Sequence, residues 1–161
     1  SVLRDLGSTM APLNAYLTLI GLETLPLRMK QHMKNAEIVA NFLKNHSKVN
    51  YVSWAGFKEN IYHQLAKKYF KNGFGSVFTF SVKSGYEGAI QLVENCNLIS
   101  HLANVGDTRS LIVHPASTTH RQLNNEQKEN SGVSDSIIRL SIGLESHKDI
   151  IADLEGALST I

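Results

Sequence analysis

The stretch IIRLSIGLES, residues 137–146, carries a single arginine inside an apolar run. Ile138, Leu140 and Ile142 recur at every second residue, the period of a half-buried β-strand. They share one face, so Arg139 and Ser141 share the other. A guanidinium is always charged and is rarely buried without a partner, so Arg139 implies an anion. Two kinds fit. One is a carboxylate of the same chain, Asp107 or Glu145, in a structural ion pair across the sheet. The other is a ligand carboxylate or phosphate, which arginine's planar fork grips through paired hydrogen bonds. Residue types and spacing leave both open.

Other side chains capable of chemistry form weaker patterns. The chain has seven histidines but no C-x-x-C or H-E-x-x-H spacing, and His114 and His120 straddle a proline-bearing turn. Ordinary hydrogen-bonded histidines explain them better than a zinc site does. Ser117, His120 and Asp107 are the residue types of a hydrolytic triad, without the G-x-S-x-G turn that exposes a nucleophile. In NGFGS (72–76) the glycines lie between a helical pattern and a strand pattern. Phosphate loops run strand, glycines, helix, so a turn is the better reading. The one cysteine, Cys96, follows the helical GAIQLVEN and reads as a small half-buried side chain rather than a nucleophile. It rules out an internal disulfide and suits a reducing compartment. Lys67, Lys68 and Lys71 fit a solvated helix face.

These residues need a scaffold, and 161 residues, 42% hydrophobic and 19% charged, suffice for one globular domain with a real core. A net charge of +2 is too small to imply a nucleic-acid or anionic-membrane partner. No apolar run approaches the ~20 residues that span a bilayer. No basic-then-apolar signal opens the chain, so a cytoplasmic location is expected. The opening SVLRDLGSTMAP does not begin with methionine and reads like the interior of a longer protein.

The order of elements follows from periodicity. From Pro12 to Asn45 the pattern is helical, with Met29, Met33, Ala36, Ala40 and Leu43 in one apolar stripe. Pro26 should kink that helix or begin a second one. Strands are expected over 49–54, 75–82, 110–115 and from Ile137, with helices over 61–70 and 86–96. The polar stretch 117–135 reads as a long loop with one helical turn, and loops of that length are often functional. Ser146 should cap a last helix, with Asp149 as an approximate capping box and Ile150, Leu154 and Leu158 facing the core.

Three stretches, LNAYLTLIGLETLPLRMKQHMKNA (13–36), LANVGDTRSLIVHPASTTH (102–120) and GVSDSIIRLSIGLESHKDIIADLEGAL (132–158), resemble the C-terminal part of the Cys/Met-metabolism pyridoxal-phosphate enzymes. The resemblance implies an α/β (α+β) fold, the small C-terminal domain of the aspartate-aminotransferase fold (fold type I). That is a short sheet with helices packed on it, residues 1–161 forming the domain and 12–45 a long linking helix. It further implies that the cofactor domain, with its Schiff-base lysine and phosphate site, lies upstream. Pyridoxal 5'-phosphate would then belong to the full-length enzyme, and this chain alone is not expected to bind it. In the family's RLS-G-E motif the arginine binds the α-carboxylate of the amino-acid substrate, a role that falls on Arg139. Asn104, through its backbone N–H, and Thr119, in the TH dipeptide, are implied to line the same site, although loop hydrogen bonding is the plainer role for Thr119. No catalytic, cofactor-binding or metal-ligating residue is implied within this chain.

Family members that bind cystathionine read AESLGG where this chain reads LANVGD (102–107), so their glutamate falls on Ala103 and their serine on Asn104. NVGD followed by HPASTTH is similar to the O-acetylhomoserine sulfhydrylase branch, whose acceptor, sulfide or a small thiol, has no distal amine. The implied reaction is a γ-replacement in methionine and cysteine biosynthesis: sulfide takes the place of acetate on O-acetylhomoserine and homocysteine results. A dimer or tetramer is implied for the full-length enzyme. Methionine γ-lyase, the cystathionine enzymes, a stand-alone amino-acid-binding module and an oligomerisation module are the alternatives. In the full-length enzyme, Ala103→Glu should shift the ratio of kcat/KM values several-fold toward cysteine over sulfide as acceptor. An ion pair in a partly wet site contributes only about 0–1 kcal/mol. An unchanged ratio would remove Ala103 from the distal pocket.

Overall fold

The computed structural model describes residues 2–161, and the side chains of all of these except 3, 125, 128 and 129. A five-stranded sheet in the order β1-β2-β5-β4-β3 forms its centre. The strands are β1 (Val49–Ser53), β2 (Val77–Val82), β3 (Ser100–His101), β4 (Leu111–Val113) and β5 (Ile137–Ser141). The pairs β1/β2, β2/β5 and β5/β4 are antiparallel, while β3 joins β4 in parallel. The arginine strand, β5, is therefore the middle one. The helices are α1 (Val2–Leu6), α2 (Pro12–Glu23), α3 (Leu25–Lys44), α4 (His63–Tyr69), α5 (Gly85–Glu94), α6 (Asn125–Asn130) and α7 (His147–Ser159).

One face of the sheet is covered by helices. Phe78, Phe80 and Val82 of β2 and Ile138 and Leu140 of β5 alternate onto that face. There they meet Ala36, Val39, Ala40 and Leu43 of α3, Ala89 and Leu92 of α5, and Ile150, Leu154 and Leu158 of α7 in one buried cluster. Burial of a large aliphatic side chain stabilises by roughly 1.5–3 kcal/mol, so this layer dominates the stability of the domain. The opposite face carries Ser81, Leu111, Val113, Ile137 and Ser141, all buried but outside that cluster. On that side Ser136, just before β5, bonds Ser81 through their hydroxyls at 2.8 Å.

The sequence reading needs correction in several places. The expected long helix over 12–45 is two helices, broken at Thr24 (φ −102°, ψ 0°), with Pro26 in the first turn of α3. A first-turn proline forfeits no intrahelical bond, which is why the chain restarts there rather than kinks. Met29 and Met33 are only half-buried, and the stripe is completed instead by the buried His32 and Asn35. Ser146 occupies the cap position of α7 but makes no side-chain cap; its carbonyl accepts the Asp149 and Ile150 N–H groups. The short α1 and β3 were not anticipated, because five and two residues are too few to show a period. The helical turn expected within 117–135 is the six-residue α6.

His32 and Asn35 tie α3 to the chain leaving the arginine strand. His32 Nδ1 donates to the Ile142 carbonyl at 2.6 Å. Asn35 Nδ2 donates to the carbonyls of Gly143 (3.0 Å) and Glu145 (2.8 Å), while Gln31 donates to Asn35 Oδ1. Two polar side chains thus satisfy three carbonyls of a segment that has left the sheet, where unpaired buried backbone is costly. Asn35→Ala strands two of those carbonyls and should lower the unfolding free energy by about 2–3 kcal/mol. Urea denaturation checks this: the midpoint should fall at constant slope. A loss under about 0.5 kcal/mol, the scale of an inert surface change, would contradict the clamp.

Candidate functional site

Arg139 lies between Thr79 of β2 and Val113 of β4, its register partners on the two sides. Directly opposed residues share a face, so these two side chains flank the arginine stem. Arg139 itself is half-buried. Of the two carboxylates that a structural ion pair would use, neither is available. Asp107 pairs with Arg109 (3.3 Å to Nη2, 3.0 Å to the N–H). Glu145 takes both donors of Ser110, the N–H at 2.6 Å and the hydroxyl at 2.8 Å. Among the described residues no carboxylate lies within ion-pair distance of Arg139. Its one hydrogen bond there is long, from Nη2 to the Asn104 carbonyl at 3.4 Å. Among the described residues no carboxylate neutralises the guanidinium.

The other expected site residues fall out unequally. Asn104 and Arg139 are brought together, though by the asparagine's carbonyl; the Asn104 side chain turns back to accept the Val105 N–H at 2.8 Å. Ala103 is exposed on the same loop, one residue earlier. Thr119 is exposed and bonds the neighbouring His120 Nδ1 at 2.8 Å. No hydrogen bond joins it to Arg139 or Asn104 among the described residues. The would-be triad is not assembled: Ser117 bonds His114 and Asp107 bonds Arg109. His114 is a buried strut instead, donating from Nε2 to the Asp135 carbonyl at 2.8 Å with Tyr86 packed edge-on. No group of three potential metal ligands occurs among the described residues.

Electrostatics sharpen these assignments. The Arg109 guanidinium and N–H hold the Asp107 carboxyl below the usual carboxylate range, and Asp107 in turn raises Arg109. That loop therefore neutralises its own charges without involving Arg139. Burial, with the nearby Asp153 charge, pushes the Cys96 thiol up to about 12, which leaves it unreactive as a nucleophile at neutral pH.

Ser110, Gly143 and Glu145, the last expected only as an ion-pair partner of Arg139, complete the site's frame. Glu145 holds Ser110, Ser110 Oγ accepts the Gly143 N–H at 2.9 Å, and Leu144 N–H reaches the Thr108 carbonyl at 2.8 Å. A Cβ on Gly143 would overlap the backbone of Arg109 and Ser110, so only glycine lets the two segments approach this closely. The signal was present in the spacing of RLSIGLE, which returns serine, glycine and glutamate at alternate positions after the arginine.

Pyridoxal phosphate is the cofactor that the resemblance implies for the full-length enzyme, and among the described residues no hydrogen bond or ion pair brings a lysine to Arg139. The cofactor needs a lysine amine and a phosphate cradle. Lys48 and Lys83 are spent on the carbonyls of Leu158, Ser159 and Ser47, Lys44 on Glu59, and Lys67, Lys68 and Lys71 are exposed. NGFGS is a turn between α4 and β2, with Gly73 and Gly75 at positive φ, and it opens no helix. What the arrangement can do is hold a carboxylate.

Comparisons with known proteins agree in kind. A family model described as Cys/Met metabolism PLP-dependent enzyme matches residues 1–159. The chain is 46% identical to the homocysteine synthase of Schizosaccharomyces pombe over 97% of its length and 36% of the relative's. It is also 46% identical to O-acetyl-L-homoserine sulfhydrylase 1 of Thermus thermophilus, covering 98% of this chain and 37% of that one. Among solved structures, one designated an O-acetylhomoserine (thiol)-lyase from Campylobacter jejuni superposes with a TM-score of 0.89 at 47% identity, over 99% of this chain and 38% of that one. It contains a pyridoxyl-lysine phosphate. A cystathionine γ-synthase from Xanthomonas oryzae, in complex with aminoacrylate and cysteine, superposes at 0.87 with 38% identity, over 96% and 40%. The chain spans little more than a third of these relatives.

Proposed function

The chain belongs to the Cys/Met metabolism PLP-dependent enzymes, and from that membership we propose that it is the C-terminal, substrate-carboxylate-binding part of an O-acetylhomoserine sulfhydrylase. The full-length enzyme would make homocysteine from O-acetylhomoserine and sulfide. The observation that carries the reading is the unneutralised guanidinium of Arg139 on the middle strand, with both nearby candidate carboxylates committed elsewhere. A substrate α-carboxylate supplies the missing charge. Ala103, where cystathionine-binding relatives place a glutamate, favours an acceptor without a distal amine. The names of the relatives at 46% identity point the same way.

Further support comes from α2, which buries none of its residues although Leu13, Tyr16, Leu17, Leu19, Ile20 and Leu22 are apolar and exposed. An apolar surface of this extent suits a chain that is one part of a larger enzyme, whose remainder, in a homo-oligomer, would cover it. Pyridoxal phosphate, held by that remainder, supplies the electron sink of the family's chemistry. This chain's residues would contribute orientation. Arg139 would clasp both carboxylate oxygens, Asn104 would close the opposite side of the carboxylate with its backbone, and the substrate's Cα would be held in one attitude. Fixing a reacting centre in this way lowers a barrier by removing rotational freedom beforehand. Arg139 would transfer no proton.

Arg139→Lys and Arg139→Ala in the full-length enzyme should both lose activity while staying folded and retaining the cofactor, because a lysine cannot reproduce the paired donors. A charge-assisted bond contributes about 1.5–3 kcal/mol, so losing one or both should cost on the order of 10- to 1,000-fold in kcat/KM. Steady-state kinetics beside thermal melts provide the check. Arg139→Lys within about threefold of wild type, under ~0.7 kcal/mol, would overturn the assignment.

A further inference from the structure

The substrate site proposed above has two sides, and only one of them is rigid by construction. Arg139 stands on the middle strand of the sheet, whereas Asn104 stands on the loop that leaves β3 at His101 and re-enters at Leu111. Residues 102–109 are exposed or half-exposed. Their internal hydrogen bonds, Val105 N–H to Asn104 and Arg109 to Asp107, shape the loop locally without anchoring it. The Arg139–Asn104 bond at 3.4 Å is too long to set the loop's position.

What does anchor it is Glu145. Its carboxylate receives the Ser110 N–H on Oε1 (2.6 Å) and the Ser110 hydroxyl on Oε2 (2.8 Å), so both of its oxygens hold one fully buried residue at the loop's end. Charge-assisted bonds of this kind are about twice as strong as neutral ones. Glu145 is itself immobilised, because its carbonyl is held by Asn35 of α3 at 2.8 Å. The path from the helix layer to the loop therefore runs Asn35, Glu145, Ser110. Leu144 N–H to the Thr108 carbonyl and Gly143 N–H to Ser110 Oγ depend on the same close approach, while the Ser100 N–H holds the Ser110 carbonyl at 3.0 Å from the β3 side.

We propose that Glu145 is a positioning residue for the substrate carboxylate: by stapling Ser110 it fixes the 102–110 loop opposite Arg139 and sets the width of the carboxylate slot. Glu145 touches no substrate. Its effect on binding passes entirely through the loop. The proposal rests on Arg139 being the carboxylate clamp, and it adds the element that fixes the opposing wall. A glutamine at 145 keeps the shape but removes the charge: its oxygen still accepts the Ser110 N–H, while its NH₂ has to donate to the Ser110 Oγ instead of accepting from it, so two charge-assisted bonds become weaker neutral ones.

The test uses the full-length holoenzyme with L-methionine as an amino-acid probe. Its dissociation constant is read from the cofactor's absorbance for wild type, Arg139→Lys, Glu145→Gln and the double variant. Hydrogen exchange of residues 102–110 and thermal melts are measured on the same samples. Glu145→Gln should weaken methionine about tenfold or more and accelerate exchange in the loop, with the cofactor spectrum unchanged. In the Arg139→Lys background the same change should cost under about threefold, since a slot without its clamp gains little from a fixed wall. Equal losses in both backgrounds would mark Glu145 as merely structural and overturn the proposal. So would a dissociation constant for Glu145→Gln within threefold of wild type while Arg139→Lys is impaired. Arg139→Lys without effect overturns the clamp itself, and with it the proposal. Should Glu145→Gln fail to fold, Ser110→Ala removes the hydroxyl half of the staple and is read by the same criteria.

Discussion

A guanidinium in the middle strand of a sheet, with no carboxylate paired to it among the described residues, is the constraint around which this domain is arranged. A charge so placed is costly unless something neutralises it, and the obvious neutralisers are kept away. Asp107 is occupied by Arg109 and Glu145 by Ser110, each through two or more hydrogen bonds. The arginine remains half-exposed, its stem flanked by Thr79 and Val113. On the proposed role of Arg139, the free energy that an internal ion pair would release on folding is left for a substrate carboxylate to release on binding.

The helix layer turns that local arrangement into a rigid one. α3 packs on β1 and α7 through Ala36, Val39, Ala40 and Leu43, and in the same turns it presents His32 and Asn35 to the chain leaving the arginine strand. One helix face thus serves packing and precise backbone placement together. Because the carbonyls of Ile142, Gly143 and Glu145 are all taken by α3, the strand end and the glutamate that follows it move with the core. Among the described residues the loop carrying Asn104 is tied to the core through Glu145 and Ser110, the Leu144 N–H on the Thr108 carbonyl, and the close approach at Gly143.

Much of this was legible in the sequence. Period-two alternation in Ile138, Leu140 and Ile142 located β5, β-branched and aromatic content over 75–82 located β2, and period-four spacing in Ile150, Leu154 and Leu158 located α7. Arg139 stood out because it broke a pattern. The elements that escaped, α1 and β3, are too short to complete two repeats of the period that would reveal them. His32 and Asn35 escaped because a polar residue in line with an apolar stripe looks like an interruption, and only the tertiary partner shows it to be a buried donor. For the same reason the fates of Asp107 and Glu145 were open in the sequence: composition supplies carboxylates, and register decides whom they serve. Thr119, singled out by resemblance, has only a local partner.

The decisive measurement is a crystal structure of the full-length holoenzyme with L-methionine or another α-amino acid bound. Both carboxylate oxygens should lie about 2.7–2.9 Å from two nitrogens of Arg139, in the paired geometry of a charge-assisted fork. The Asn104 loop should stand on the far side and Glu145 should still hold Ser110. A carboxylate bound elsewhere, with Arg139 more than about 4 Å away or paired with a carboxylate of the protein, beyond any hydrogen-bond distance, would contradict the role given to the arginine.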